Sequence, residues 1–303
     1  MYYIENNDKP RFLESMFKII KIEGNKLILP LKTKNINKKY LAKLARKTKK
    51  ILDKTKSKKI VLSKILKENE EYKNILYTYG FDIVDGKWLF EVISCEVLDY
   101  IVNLENIKKE DTEISILVNY ITQNTLENIK KIARQYKRLN IVTNHIEKFK
   151  KIEEELYNKE GIMIIVTNNK KKSLSKSKII LNIDFPKELL NKYNIYENAI
   201  LVNIRGNMKI ARKRFNGITI NDYEIKLNNL DYSQINNKNQ YNIRDIYEAS
   251  FYKTMPYREI VKQINADKPE VTSLYGNINQ EELAQEKVKH LRLERRLSRK
   301  KND

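Results

Sequence analysis

Between residues 113 and 205 the sequence alternates continuous apolar runs with amphipathic segments, and this rhythm limits the fold more than any other feature. "ISILVNY" is a run of strand type, and "TLENIKKIARQYK" spaces its apolar residues for one helical face. "LNIVTNH", "IMIIVTNN", "KIILNIDF" and "AILVNI" supply four further strands. "IEKFKKIEEELYNKEG" and "KELLNKY" lie between them as helices, and the polar "KKKSLSKS" follows the third strand. Strands that read apolar throughout are buried on both faces, which happens when helices cover both sides of a parallel sheet. Repeated units of this kind imply a doubly wound parallel sheet over residues 111–227.

Residues 1–110 read differently. "FKIIKIEGNKLILPLK" (17–32) sets two apolar runs around Glu23-Gly24-Asn25, a hairpin signal. The spacing of Leu41, Leu44, Ala45, Ile51 and Leu52 predicts a helix over 37–52 with lysines on its other side. "KKIVLS" (58–63) is a short strand, and 64–80 is a helix ended by Gly80. Asp85-Gly86 stands between two apolar runs of 81–93, the strongest short hairpin signal in the chain, with Trp88 and Phe90 alternating on its second strand. Ser94 is the expected cap of a helix over 94–107. Hairpins mixed with helices make this an α+β domain. Beyond residue 205, "FNGITINDYEIKL" (215–227) is expected as a hairpin or edge pair turning at Asn221-Asp222. The rest, 228–303, reads as an Asn-rich loop (228–242), a helix at "IRDIYEASFYK", a loop over 265–280 and a basic helix or tail.

The net charge of +21 resides in two places. Residues 31–67 carry 15 Lys/Arg with Asp53 as their only acid, and residues 287–301 carry 8 with only Glu294; the other 251 residues sum to zero. Such segments serve either as solvated helix faces or as attractors of polyanions. Arg292, Arg295, Arg296 and Arg299 are the residues expected to bind nucleic acid, because a guanidinium makes bidentate phosphate contacts. Tyr40 is the only aromatic residue within either segment, which limits base stacking. No apolar run approaches the roughly 20 residues of a membrane span, and "MYYIENNDKP" lacks the features of a secretory signal. One cysteine, Cys95, excludes an internal disulfide and a multi-cysteine zinc site. A cytoplasmic location is expected.

The segment "NIVTNHIEKFKKIEEELYNKEGIMIIVTNN…SLSKSKIILNIDFP" resembles the NAD(P)-binding domain shared by shikimate dehydrogenase and glutamyl-tRNA reductase, over about residues 113–205. The resemblance implies a Rossmann-like fold. It sets Asn144-His145-Ile146 at the family's Asn-Arg-Ser/Thr motif beside the adenosine ribose, and Asn182-Ile183-Asp184-Phe185-Pro186 at its Asn-x-Thr-Pro element near the nicotinamide. The first βα turn departs from that family. Tyr120-Ile121-Thr122-Gln123-Asn124-Thr125 holds no glycine, whereas the family uses glycines to bring backbone N–H groups up to a pyrophosphate. His145 stands where an arginine would hold a 2′-phosphate.

The expected cofactor-side residues are Asn119, Thr122, Asn124, Asn144, His145, Asn168 and Asn182, which crowd the ends of the strands. Asparagine is also a routine strand-end residue, so a ligand-lined crevice and plain capping both stand. No Walker A, H-E-x-x-H or G-x-S-x-G motif occurs, no metal site is expected, and no catalytic residue is assigned. Asp82 and Asp85, the serines of "KSLSKSK" and Cys95 are read as structural.

The chain thus reads as α/β: a smaller α+β domain (1–110), a Rossmann-like doubly wound parallel sheet (111–227), and a C-terminal region (228–303) ending in a basic helical tail. The favoured function is a degenerate relative of NAD(P)-dependent dehydrogenases with weak or no activity, kept as a scaffold or protein-binding platform. The alternatives are a nucleic-acid or ribosome-associated protein using 31–67 and 287–301, and an active NAD(P)-dependent oxidoreductase with an atypical turn. NAD(P) is the cofactor that the resemblance implies, and it stays unassigned.

Overall fold

The computed structural model describes residues 1–31, 37–55, 58–205, 208, 210, 215, 217–227, 240–252 and 256–276. The Asn-rich 228–239 and the basic tail, with Arg292, Arg295, Arg296 and Arg299, lie outside the described residues. The described residues form two compact units, one within Met1–Trp88 and Ile225–Pro269, the other within Leu89–Glu224 together with Glu270–Gly276. The crossings fall at 88, 224 and 269.

In the first unit β1 (Tyr2–Asn6) pairs in parallel with β3 (Lys26–Leu29) on one side and β4 (Lys59–Leu62) on the other. β5 (Asp82–Val84) adds in parallel to β4, and β2 (Lys21–Glu23) folds back on β3 around the expected Gly24 turn. The order is β2-β3-β1-β4-β5. Short helices α1 (Phe12–Phe17) and α3 (Lys64–Glu68) follow β1 and β4. Leu41, Leu44 and Leu52 of α2 (Lys38–Thr55) and Tyr72 and Leu76 of α4 (Glu70–Thr78) form one core cluster with Ile4, Leu27, Ile60 and Leu62. Val61 and Val84 cluster separately with Tyr241 and with Ile246 and Ala249 of α10 (Ile243–Ser250). Strand residues that alternate between two core clusters are those of a sheet covered on both faces. The α+β expectation is therefore corrected: this unit too is α/β, with one antiparallel pair.

Two local signals were misleading. Asp85-Gly86 does not turn a hairpin. The Asp85 carboxylate accepts the Lys87 N–H at 3.1 Å, Gly86 takes φ +80°, and the chain enters helix α5 (Lys87–Val92). An Asp-Gly pair serves a helix start as well as a hairpin, because the aspartate closes a turn with its own side chain. At Gly86 φ demands glycine, and a Cβ would also stand 2.9 Å from Arg244 Cδ and Nε, forcing that buried side chain to shift. The helix expected over 64–80 breaks at Asn69, whose Oδ1 caps α4 by accepting the Tyr72 N–H at 2.9 Å. Gly80, at φ +79°, ends it as expected, donating to the Tyr77 carbonyl at 2.9 Å.

The second unit holds β6 (Glu113–Leu117), α7 (Gln123–Gln135), β7 (Arg138–Val142), α8 (Ile146–Glu160), β8 (Ile164–Thr167), β9 (Ile179–Asn182), α9 (Lys187–Leu190), β10 (Ile200–Asn203), most of β11 (Ile218–Lys226) and β12 (Glu270–Gly276). Helix α6 (Ser94–Leu104) precedes them, and α11 (Tyr257–Asp267) belongs to the first unit. The sheet runs β12-β11-β10-β9-β6-β7-β8, and the pairs from β11 to β8 are parallel. Counting β6 as the first strand gives 3-2-1-4-5-6, the order of dinucleotide-binding sheets, with β12 added at one edge. The expected parallel sheet is present. Residues 215–227 hold no turn at Asn221: β11 is one strand, with Ile220, Asn221, Tyr223 and Ile225 buried. Glu270–Gly276, expected as loop, is a strand. Ser94 does not cap α6; the cap position is Ile93, and the Ser94 hydroxyl is buried without a partner.

In the first unit the fully buried carboxylate of Asp245 receives Lys67 Nζ at 2.7 and 2.9 Å, and the same ammonium reaches the Asp85 carbonyl at 3.1 Å. Arg244 Nε lies 3.4 Å from Asp245. Removing one partner of such a pair strands the other in a poor solvent for charge. Lys67→Met is expected to lower the unfolding free energy by about 2–3 kcal/mol, read from urea denaturation. A change below about 0.5 kcal/mol would show that Arg244 alone satisfies the carboxylate.

Candidate functional site

In a sheet of this order ligands bind outside the carboxyl ends of the strands, where the order reverses between the first and fourth strands. Here those are β6 and β9. β6 leads through Asn119, Tyr120, Ile121 and Thr122 into α7, capped by Thr122 Oγ1, which accepts the Thr125 N–H at 3.0 Å. None of these residues has positive φ, so the turn is made without the conformation that glycines would supply. β9 leads into Ile183-Asp184-Phe185, and Asn182 shapes this loop. Its Oδ1 accepts the Phe185 N–H at 2.9 Å, and its Nδ2 donates to the Phe185 carbonyl at 3.0 Å.

The two loops meet through one side chain. Asp184 Oδ1 accepts the Asn119 N–H at 2.8 Å, and Oδ2 accepts the N–H groups of Asn119 at 3.0 Å and Tyr120 at 2.8 Å. The chain's own carboxylate thus bonds backbone donors of the first βα turn, in the crevice where a dinucleotide-binding sheet presents such donors to a pyrophosphate. Burial raises the Asp184 carboxyl above the ordinary aspartate value. The two backbone N–H groups, the Arg205 guanidinium and His145 pull the other way without cancelling it.

Around this pair several polar groups are engaged. Asn119 Oδ1 accepts the Asn144 N–H at 2.9 Å, tying the end of β6 to that of β7. His145 stands at the start of α8, its ring centroid 6.5 Å from that of Tyr120. Glu91, buried, accepts the Thr125 hydroxyl at 2.8 Å, receives Asn128 on its carbonyl, and stands 3.7 Å from Arg205. Across the other half of the sheet, Asn182, Asn203 and Asn221 form a buried ladder at 3.0 Å spacings from β9 to β11, closed by Met208 on both amide atoms of Asn221. Each rung satisfies the next, as buried amides require.

The expected residues fall as follows. Asn119, Thr122, Asn124, Asn144 and His145 gather at the ends of β6 and β7, with Asn124 buried in the first turn of α7. Asn182 lies at the end of β9 with its amide committed to Phe185 and Asn203. Asn168 is exposed just past β8, the edge strand. Sequence reasoning missed Asp184, Glu91, Arg205, Asn203 and Asn221. Asp184 had a visible signal, since it is the one acid inside the "NIDFP" element. Glu91 had none, because its segment read as a hairpin. Cys95 is fully buried and its thiol is pushed up to about 12, chiefly by burial, so it is no nucleophile.

No family model matches the chain, and no curated protein matches it in sequence. Among solved structures it is similar to L-tryptophan dehydrogenase from Nostoc punctiforme, at 7% identity and a TM-score of 0.30, covering 67% of this chain and 62% of that one. It is also similar to phosphoglycerate oxidoreductase from Vibrio cholerae, at 9% identity and a TM-score of 0.31, covering 67% and 75%. Ornithine carbamoyltransferase from Pyrococcus furiosus is a third, at 10% and 0.27, covering 70% and 74%. The chain spans about three fifths of the tryptophan dehydrogenase. At these scores the fold rests on the strand order itself.

Because the folded Asp184 carboxyl is raised, the folded state holds its proton to higher pH than the unfolded chain does. Its favourable contribution is therefore full in acid and is lost as pH rises through the folded value. A carboxyl-carbon NMR titration should give Asp184 a midpoint above 3.8, the ordinary aspartate value, with the Asn119 and Tyr120 amides moving at the same midpoint. A midpoint below that value would show the backbone donors outweighing burial.

Proposed function

We propose that the chain is a Rossmann-like scaffold protein, a degenerate relative of NAD(P)-dependent dehydrogenases with little or no catalytic activity. The observation that carries this reading is the Asp184 carboxylate on the Asn119 and Tyr120 N–H groups. A pyrophosphate entering here meets donors already taken, each bond to a charged group being worth roughly 1.5–3 kcal/mol. It also meets a negative charge. At a separation of about 4 Å, each like-charge pair costs roughly 1 kcal/mol in water and roughly 4 kcal/mol near a protein surface. Both effects oppose the ordinary mode of binding, and neither is relieved by glycines or by an arginine at position 145.

The engaged state of Asn182 and Glu91 supports the same reading, since neither side chain is held out toward a substrate. A protein-binding platform is the role that such a filled crevice fits. The nucleic-acid alternative draws half its support from Arg292, Arg295, Arg296 and Arg299, which lie outside the described residues.

Millimolar NADH or NADPH is expected to move the melting temperature by about a degree or less, because stabilisation scales with the logarithm of ligand over Kd. A shift of several degrees would overturn the scaffold reading in favour of an oxidoreductase with an unusual turn.

A further inference from the structure

Helix α1 is built inside out. Its apolar side chains point to solvent, with Phe12 78%, Leu13 59%, Met16 49% and Phe17 57% exposed, and its one buried residue is an acid, Glu14. Glu14 is held inward by Lys21 Nζ at 2.9 Å and by the Arg11 N–H at 3.1 Å. The helix is moored to α2: Lys47 donates to the Phe17 and Lys18 carbonyls, and the Tyr40 hydroxyl donates to the Ser15 carbonyl at 3.4 Å. The exposed face is therefore a built feature of the first unit.

Beside it α2 presents a cationic stripe. Lys43, Arg46, Lys47 and Lys50 recur at helical spacing on the side away from the core and line one groove with Met16 and Phe17. No acid is among the described residues that line that groove. An apolar ridge flanked by cations is the composition that lies in the headgroup region of an anionic bilayer, with the apolar side chains in the acyl boundary and the cations at the lipid charge. A second copy in a two-fold dimer fits poorly, since it would set the same positive face against this one. Single-stranded nucleic acid would engage the cations and stack on Phe12 and Phe17, but it leaves the exposed aliphatic Leu13 and Met16 without a partner, whereas acyl chains take all four. We propose that α1 and the cationic stripe of α2 dock the protein on an anionic lipid surface, without spanning it.

The test is co-sedimentation of the full chain with phosphatidylcholine vesicles, with and without phosphatidylserine. The variants are Phe12→Ser with Phe17→Ser, and Lys43→Glu with Lys50→Glu, all at exposed positions, with folding checked by circular dichroism. Binding should require phosphatidylserine, fall with added salt, and weaken about tenfold or more in each double variant. Failure to bind phosphatidylserine vesicles would overturn the proposal. So would binding that the serine variant retains, since the affinity would then belong to basic segments elsewhere. Tight binding of a single-stranded oligonucleotide, lost in the glutamate variant and kept in the serine variant, would assign the stripe to nucleic acid instead.

Discussion

The second unit turns on a carboxylate meeting two backbone N–H groups. At the end of β6 the chain must leave the sheet and begin a helix, and the donors of that turn need an acceptor. Dinucleotide-binding sheets leave them for a phosphate and use glycines to expose them. In this chain Asp184, from the neighbouring β9 loop, takes them at 2.8–3.0 Å. Other local features are consistent with that choice. Asn182 folds the loop that carries Asp184, Asn119 spends its side chain on β7, and the turn needs no positive φ. The raised carboxyl shows the cost: burial works against the charge more strongly than its partners support it.

The parallel sheet of the second unit was legible because its strands are continuous apolar runs separated by helices, a pattern with one common solution. The first unit was not legible in the same way. Its central strand, Tyr2–Asn6, carries Glu5 and Asn6 and so does not read as a continuous apolar run, and its partners Lys26–Leu29 and Lys59–Leu62 are distant in sequence. Asp85-Gly86 misled because its side-chain turn suits a helix start as well as a hairpin. Asn221 read as a turn residue, yet it is a rung between Asn203 and Met208, a role visible only once β10 and β11 are side by side.

The same limit applied to the site. Strand-end asparagines could be found by eye, but whether they face a ligand or one another depends on partners that sequence does not rank. Asn182, Asn203 and Asn221 face one another. Charge was easier to place: the lysine-rich 37–52 segment is a helix with leucines inward and cations outward, as its periodicity requires. What periodicity could not reveal is that the neighbouring α1 turns its phenylalanines outward, because six residues carry too short a pattern to separate an inner face from an outer one.

Amide hydrogen exchange tests the central claim most directly. The Asn119 and Tyr120 N–H groups should exchange slowly in the native chain and much faster in Asp184→Ala. The Val118 N–H, bonded to the Val142 carbonyl at 3.0 Å, should stay protected in both. Fast exchange of Asn119 and Tyr120 in the native chain, or slow exchange untouched by the substitution, would contradict the account.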